Sequence, residues 1–277
     1  MGWLGHLTIH YTHDGERCVA LDRHEGPLRV LQRLYPEGPG TCHHVLVHPP
    51  GGIVGGDRLE VALHLARGSH AVLTTPGATR FYRSAGEPAV QQVQAQVAAG
   101  ARLEWLPLET IAYDACLAQN HQSFRLDEGG EMLGWDMTAL GLPASGKPFE
   151  HGHLLQHLEV PGVWLERGRI AADDTLLLDS PVGLAGHRVM GTLWWAGGSG
   201  LATDERQALL DAARAAMDAH PSLRLTAGAT SPDPRIVVCR ALAHRVEPLF
   251  ELWREIRGRW REVRWGLAGV PARVWSQ

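Results

Sequence analysis

Lysine is nearly missing from this 277-residue chain: Lys147 stands alone, and every other residue of the 26 Lys+Arg is arginine. Basic charge in excess is missing too, because those 26 face 30 Asp+Glu and leave a net charge of −4. That balance excludes a general nucleic-acid binder, which usually carries a strongly basic domain. No apolar run approaches the roughly 18 residues of a membrane span. The start, Met1-Gly2-Trp3-Leu4-Gly5-His6, has no charged segment leading into an apolar one, so a secretory signal is not expected. The four cysteines, Cys18, Cys42, Cys116 and Cys239, lie far apart with no C-x-x-C. This argues against a zinc ribbon and a disulfide-stapled secreted fold, and makes the cytoplasm the expected setting. Ser/Gly-rich linkers and charge runs are absent, so one domain over 1–277 is expected.

Enzyme signatures are missing as well. There is no G-x-S-x-G elbow, and Ser145 in Ala144-Ser145-Gly146-Lys147 lacks that frame. H-E-x-x-H and other zinc spacings do not occur. The segment His48-Pro49-Pro50-Gly51-Gly52-Ile53-Val54-Gly55-Gly56-Asp57 is glycine-rich. A phosphate loop would follow its glycines with Lys-Ser/Thr and a helix. Here an acid, Asp57, comes next, then Arg58 and a strand pattern. Pro49, Pro50, Gly51, Gly52, Gly55 and Gly56 are better read as sharp turns or a close backbone approach. Asp57 at the strand mouth can either cap backbone N–H groups or line a polar passage.

What is plentiful is hydrophobic residues (44%) and glycine (32 residues), enough for a packed core of many short elements. From Arg58 to Ala66, Leu59, Val61, Leu63 and Leu65 alternate with more polar residues, which predicts a strand with one apolar face. His70–Thr75 can return as its hairpin partner across Gly68-Ser69, and Pro76-Gly77 suits the centre of a type II turn. Further strands are expected around Val93–Val97, Arg102–Leu108, Gln122–Leu126, Glu131–Thr138, Leu154–Val160, Val163–Ile170, Val189–Trp195 and Arg235–Ala243. Helix patterns come late. Asp204 with Gln207 resembles a capping box, followed by Leu209, Leu210, Ala213, Ala216 and Met217 up to Pro221. Leu249, Trp253, Ile256 and Trp260 form the stripe of a second helix, with its arginines read as a solvated basic flank. Regular βαβ alternation is missing, so the residues predict a mainly β body with two C-terminal α-helices.

Sixteen histidines raise the question of metal. His43, His44 and His48 cluster, as do His151, His153 and His157; in an extended strand the latter three share one face by their even spacing. Imidazole suits nickel, copper and zinc. Surface histidine and weak metal contact at His48, His151, His153 and His157 are both open readings.

The run His43-His44-Val45-Leu46-Val47-His48-Pro49-Pro50-Gly51-Gly52-Ile53-Val54-Gly55-Gly56-Asp57 resembles the signature of the UreD (UreH) urease accessory proteins. Four later blocks resemble that family in order: Thr74-Thr75-Pro76-Gly77-Ala78-Thr79-Arg80-Phe81-Tyr82-Arg83-Ser84, Trp105-Leu106-Pro107-Leu108-Glu109-Thr110-Ile111, Gly134-Trp135-Asp136 with the Arg240 strand, and Pro271-Ala272-Arg273-Val274-Trp275. The resemblance implies a β-helix or solenoid-like fold of stacked sheets and a non-enzymatic urease maturation chaperone. Such a scaffold binds UreF and through it the GTPase UreG, docks on apo-urease, and passes transient nickel(II) through an internal polar passage. No tightly bound cofactor is implied, and a homodimer within the accessory complex is compatible. On the matching positions, Asp57, Thr75, Asp136 and Glu166 are the candidate passage residues, Glu166 being equally readable as an ordinary salt-bridged acid. The chain departs from the family pattern at Leu142 and Lys147, so no role is carried over there. The alternatives are a histidine-based nickel-storage protein and, by fold analogy only, a β-helical glycoside hydrolase.

Overall fold

The computed structural model of the chain describes residues 2–276. Its first strands are β1 (Leu4–His13), β2 (Cys18–Glu25), β3 (Arg29–Val30), β4 (Thr41–Val47), β5 (Arg58–Leu65) and β6 (His70–Thr74). Next come β7 (Thr79–Phe81), β8 (Ala89–Val97), β9 (Arg102–Leu106), β10 (Thr110–Ala112), β11 (Cys116–Leu126) and β12 (Glu131–Leu140). The last part holds β13 (Gly152–Val160), β14 (Trp164–Ala171), α1 (Thr175–Asp179), β15 (Val189–Gly197), α2 (Thr203–Ala219), β16 (Ala227–Asp233), β17 (Ile236–Ala243) and α3 (Val246–Trp265).

The strands form two stacked sheets. One has the order β14-β13-β11-β8-β5-β1-β2; the other runs β16-β17-β15-β12-β9-β6-β4-β3, with β10 and β7 attached beside β12. Through the middle of the chain, consecutive long strands alternate between the sheets. Each pairs in parallel with the strand one coil away: β1–β5–β8–β11–β13 in the first sheet, β4–β6–β9–β12 in the second. This is a two-sheeted β-solenoid. It corrects the expected hairpin of Arg58–Ala66 with His70–Thr75. Gly68 takes the left-handed turn (φ +76°), but the chain then crosses to the other sheet, so β5 and β6 face each other rather than pair. The type II turn at Pro76-Gly77 is also corrected, because Gly77 does not adopt the positive φ such a turn requires. Proline presets φ equally well for other bends, so the dipeptide alone could not decide.

The period-two reading of β5 holds: Leu59, Val61, Leu63 and Leu65 are buried between the sheets. β12 shows no alternation because it is covered on both faces. Met132 and Leu140 face the inter-sheet core, whereas Leu133, Trp135, Met137 and Ala139 pack towards the helices. Both expected helices are present. α2 buries Leu209, Leu210, Ala213, Ala216 and Met217, but it begins earlier than the capping pattern suggested. Ala202 is its N-cap, and Glu205 accepts the Ala202 N–H at 3.0 Å, which leaves Asp204 in the first turn. A carboxylate anywhere in that turn suits the helix dipole, so two neighbouring acids make the start ambiguous. Among the described residues no helix is long and apolar enough to cross a membrane.

The basic flank of α3 is only partly solvated, which corrects the sequence reading. Arg257 and Arg261 are among the largest fully buried side chains. Both reach Glu104 on β9, itself 0% exposed: Arg257 Nε donates to Oε2 at 2.7 Å and Arg261 Nη1 to Oε1 at 2.5 Å. Arg261 also pairs with Glu37, which contacts His43 at 2.7 Å, and His70 Nε2 lies 2.9 Å from Glu104 Oε1. Burial pushes the Glu104 carboxyl up, but Arg257, the hydrogen bond from His70 and Arg261 outweigh it and hold the group well below the usual carboxylate range.

Removing the Glu104 charge leaves buried Arg257 with no carboxylate partner and buried Arg261 with Glu37 alone, among the described residues. Glu104→Gln should lower unfolding free energy by about 3–5 kcal/mol in urea titration near neutral pH. The folded state binds fewer protons at Glu104 than the unfolded state does, so its contribution is present above the ordinary value of 4.5 and lost as pH falls below it. The stability gap between wild type and variant should therefore shrink on acidification through that range.

Candidate functional site

The glycine block connects β4 to β5 and lies against β7. Ile53 N–H donates to Arg80 O at 2.7 Å, and Tyr82 N–H donates to Ile53 O at 2.9 Å, so the loop adds a short bridge beside Phe81. Gly51 and Gly56 turn with φ of +78° and +92°. Gly52 and Gly55 are held to glycine by space: a Cβ would run into the Tyr82 ring at the first, and into Ser84 and the Glu87 carbonyl at the second. The block is thus two left-handed turns flanking two close approaches.

Asp57 ends the loop as a backbone cap. Its Oδ1 accepts Trp3 N–H at 2.8 Å and its Oδ2 accepts Val54 N–H at 3.1 Å. It thereby joins the start of β1 to the start of β5, whose register begins at Leu4↔Arg58. Beside it opens a cavity of about 350 Å³, walled by the loop, by aliphatic side chains such as Leu59 and Val61, and by His48, Thr75, Arg80, Gln91 and Trp105. Burial lowers the pKa of His48, while the Asp57 charge opposes the shift. Thr75 Oγ1 donates to Gly77 O and accepts Leu108 N–H, both at 2.9 Å, clamping two turns at the cavity wall.

Gln91 and Trp105 lead from the cavity into the inter-sheet core. Gln91 Nε2 donates to Asn120 Oδ1 at 3.3 Å, and Trp105 Nε1 donates to Gln122 Oε1 at 2.8 Å. Asn120 Nδ2 and Gln122 Nε2 both donate to Asp136 Oδ2, at 3.3 and 2.8 Å. The other oxygen, Oδ1, accepts from Gln156 Nε2 at 2.9 Å and Thr138 Oγ1 at 3.1 Å. Asn120, Gln122, Asp136, Thr138 and Gln156 are all buried. Burial pushes the Asp136 pKa up and the charge of Glu166 adds to this, while the donors from Gln156, Thr138 and Gln122 pull it back.

Glu166 takes the next step. Its Oε1 accepts from Thr192 Oγ1 at 3.1 Å, and its Oε2 accepts from Arg240 Nε at 2.8 Å and Nη2 at 2.5 Å. The register explains the convergence. Leu59, Gln91, Asn120 and Gln156 form one cross-strand row of the first sheet, and Val61, Val93, Gln122, Leu158 and Glu166 form the next inward row. Asp136, Thr192 and Arg240 form a row of the second sheet. The first row turns from apolar Leu59 to three carboxamides, and apolar Leu158 separates Gln122 from Glu166 in the second. Asp136, Thr192 and Arg240 of the facing sheet carry the polar file past it, from the cavity to the Glu166–Arg240 pair.

Three of the candidate residues therefore sit along this feature: Thr75 at the cavity, Asp136 at the centre, Glu166 at the far end. Asp57 stands beside the cavity with its oxygens committed to the backbone. The other histidines do not converge on the file. His153 and His157 lie on the outer face of β13, opposite buried Leu154, Gln156 and Leu158, and His151 precedes the strand. The three meet, respectively, Arg169 (3.3 Å), Glu159 (3.2 Å) and Asp114 (3.5 Å). Among the described residues no three His, Cys, Asp or Glu side chains gather closely enough to hold a metal ion. Leu142 and Lys147 bridge across a 3-10 turn at Pro143–Ser145.

Sequence reasoning passed over Gln91, Asn120, Gln122, Gln156, Thr138, Thr192 and Arg240. A signal existed: Gln91 is in phase with inward Val93, and Gln122 is in phase with inward Phe124. Polar residues at core phase are uncommon unless they have partners.

Fold and interior define the class, a two-sheeted β-solenoid with a polar file through its core. Residues 4–276 match the family described as UreD urease accessory protein. The chain is 60% identical over 277 residues to Urease accessory protein UreD of Leptothrix cholodnii, covering 99% of each chain. It is 56% and 55% identical to the proteins of the same name from Paracidovorax citrulli and Polaromonas naphthalenivorans, with full coverage of both. The chain belongs to the UreD urease accessory protein family.

If Asp57 serves the backbone, Asp57→Ala should cost about 1–3 kcal/mol, the loss of two part-buried hydrogen bonds to a charged acceptor. Asp57→Asn, which keeps one acceptor, should recover part of it. Thermal and urea unfolding of the two variants check this.

Proposed function

We propose that the chain is a non-catalytic scaffold of urease maturation that binds UreF and through it UreG, docks on apo-urease, and hands nickel(II) along the buried polar file towards the dinuclear site. The observation that carries this reading is the file itself. Natural cores seldom place three carboxamides around one buried carboxylate, with a fourth, Gln91, bonded to one of them, because each must find a partner. Here the carboxamides are supplied coil by coil along one axis.

The chemistry of the donors suits transfer better than storage. Nickel(II) is held firmly by imidazole and thiolate. Carboxylate, carboxamide and hydroxyl oxygens bind it more loosely, and a conducting path needs ligands weak enough to release the ion. In the resting arrangement Asn120, Gln122 and Gln156 turn N–H groups towards Asp136. A cation beside Asp136 would be met by Gln156, whose Oε1 is buried without a hydrogen-bond partner among the described residues, once that side chain turns; Asn120 and Gln122 would turn only by giving up the bonds from Gln91 and Trp105. Asp136 and Glu166 supply the negative charge that offsets partial loss of water from the ion.

Two measurements test the reading. The chain should co-purify with UreF; a folded chain that never does so contradicts the scaffold role. Urease matured with Asp136→Asn and Glu166→Gln together should carry at least about twofold less nickel per active site, since both attracting charges are gone, while UreF still co-purifies. Unchanged nickel content removes the file from the mechanism.

A further inference from the structure

The far end of the file is closed by one ion pair. The seven-stranded sheet stops at β14, while the ten-stranded sheet continues through β15, β17 and β16. Glu166, on the last strand of the first sheet, bridges to Thr192 and Arg240 on the second. Arg240 sits two strands from Asp136 in the same cross-strand row. Its guanidinium donates to Glu166 through Nε and Nη2, and its Cζ lies 5.9 Å from the centre of the Trp164 ring. The Arg240 side chain is 52% exposed against 22% for Glu166.

This asymmetry matters. The buried arginines on α3 are locked by several partners each, whereas Arg240 has Glu166 as its one hydrogen-bond acceptor among the described residues. It can swing into water on a long flexible stem without breaking any other hydrogen bond. Arg240 holds Oε2 alone, while Oε1 accepts only the Thr192 hydroxyl among the described residues, so the Glu166 carboxylate offers a cation its full charge and both oxygens only when the guanidinium moves.

We propose that Arg240 is the gate residue of the file: its guanidinium holds Glu166 Oε2 at rest, and a divalent cation gains both oxygens and the full charge of Glu166 only by displacing it. The proposal deepens the nickel-path reading and rests on it. With Arg240 seated, one of the two carboxylates, Asp136 or Glu166, is already neutralised. With Arg240 displaced, both are free, and their combined charge matches one divalent ion. A monovalent ion offers Glu166 no more charge than the guanidinium it would replace, and it lacks the two directed hydrogen bonds. Arg240 thus acts as a charge filter at this end.

The test is calorimetric titration of the full chain with Ni²⁺ alone. Arg240→Gln should bind Ni²⁺ at least about tenfold more tightly than wild type, because a competing cation has been removed from a partly buried carboxylate. Adding Glu166→Gln to that variant should abolish the gain. Arg240→Lys, which keeps the charge but loses the paired geometry, should fall between wild type and Arg240→Gln, and it serves if the glutamine variant does not fold. Unchanged affinity in Arg240→Gln, a gain that survives Glu166→Gln, or a lysine variant indistinguishable from wild type would overturn the gate. Urease nickel content with Asp136 and Glu166 replaced tests the path separately. A null result there leaves an altered Ni²⁺ affinity in Arg240→Gln intact, so the two failures are distinguishable.

Discussion

The architecture depends on the charge of Glu104. It lies on a central strand of the ten-stranded sheet, on the face turned away from the inter-sheet core, and it has no access to water. A buried carboxylate is costly unless paired and fully hydrogen-bonded. Arg257 and Arg261 of α3 supply the pairing, so the helix can dock in one position and rotation. Register extends the same logic sideways. Thr41, His70, Arg102 and Glu131 form a cross-strand row, and His43, Val72 and Glu104 form the next. Arg264 and Trp265 at the end of α3 both reach Glu131, while Arg257 also holds the Val270 carbonyl of the tail. One helix is thereby bonded to two parallel strands, β9 and β12, and Trp265 also meets the His70 ring of β6.

The two faces of that sheet carry opposite kinds of polarity. On the helix side, full charges meet full charges at short range, an arrangement that is rigid and specific. On the inner side, a single buried carboxylate is surrounded by neutral carboxamides and a hydroxyl. Amides exchange donor for acceptor by turning about one bond, and no ion pair has to break at Asp136 when they do. The ionic face fastens the helix to the sheet, while the inner face holds one charge by neutral donors alone. That division follows from the pleat, since neighbouring residues such as Trp135 and Asp136 point to opposite sides of the same strand.

Much of the fold was legible because half-buried strands advertise themselves. β5 shows clean alternation, and α2 and α3 show apolar stripes, since each has one wet side. β6 and β12 are covered on both faces and lose that signature. The error over β5 and β6 came from the turn between them: a left-handed glycine reverses the chain in a hairpin and in a solenoid corner alike. Whether the next strand pairs with its predecessor or crosses over is decided by long-range contacts. Arg257 and Arg261 were misread for a related reason, because arginine on a helix face is ordinarily solvated and the partner that buries these two lies more than 150 positions earlier.

By itself the sequence determined the strand-rich character, the two late helices, and family membership through the glycine block and the later motifs. Those follow from local periodicity, turn chemistry and the steric demand for glycine where Tyr82 and Ser84 press on the loop. The tertiary structure decided that Asp57 serves the backbone, that the histidines of β13 face outwards, and that Gln91, Asn120, Gln122 and Gln156 share an interior with Asp136. Those relations depend on register across parallel strands separated by a full coil. No short-range pattern encodes that register; it is selected only when every coil packs at once against its neighbours and against the helix fastened to Glu104.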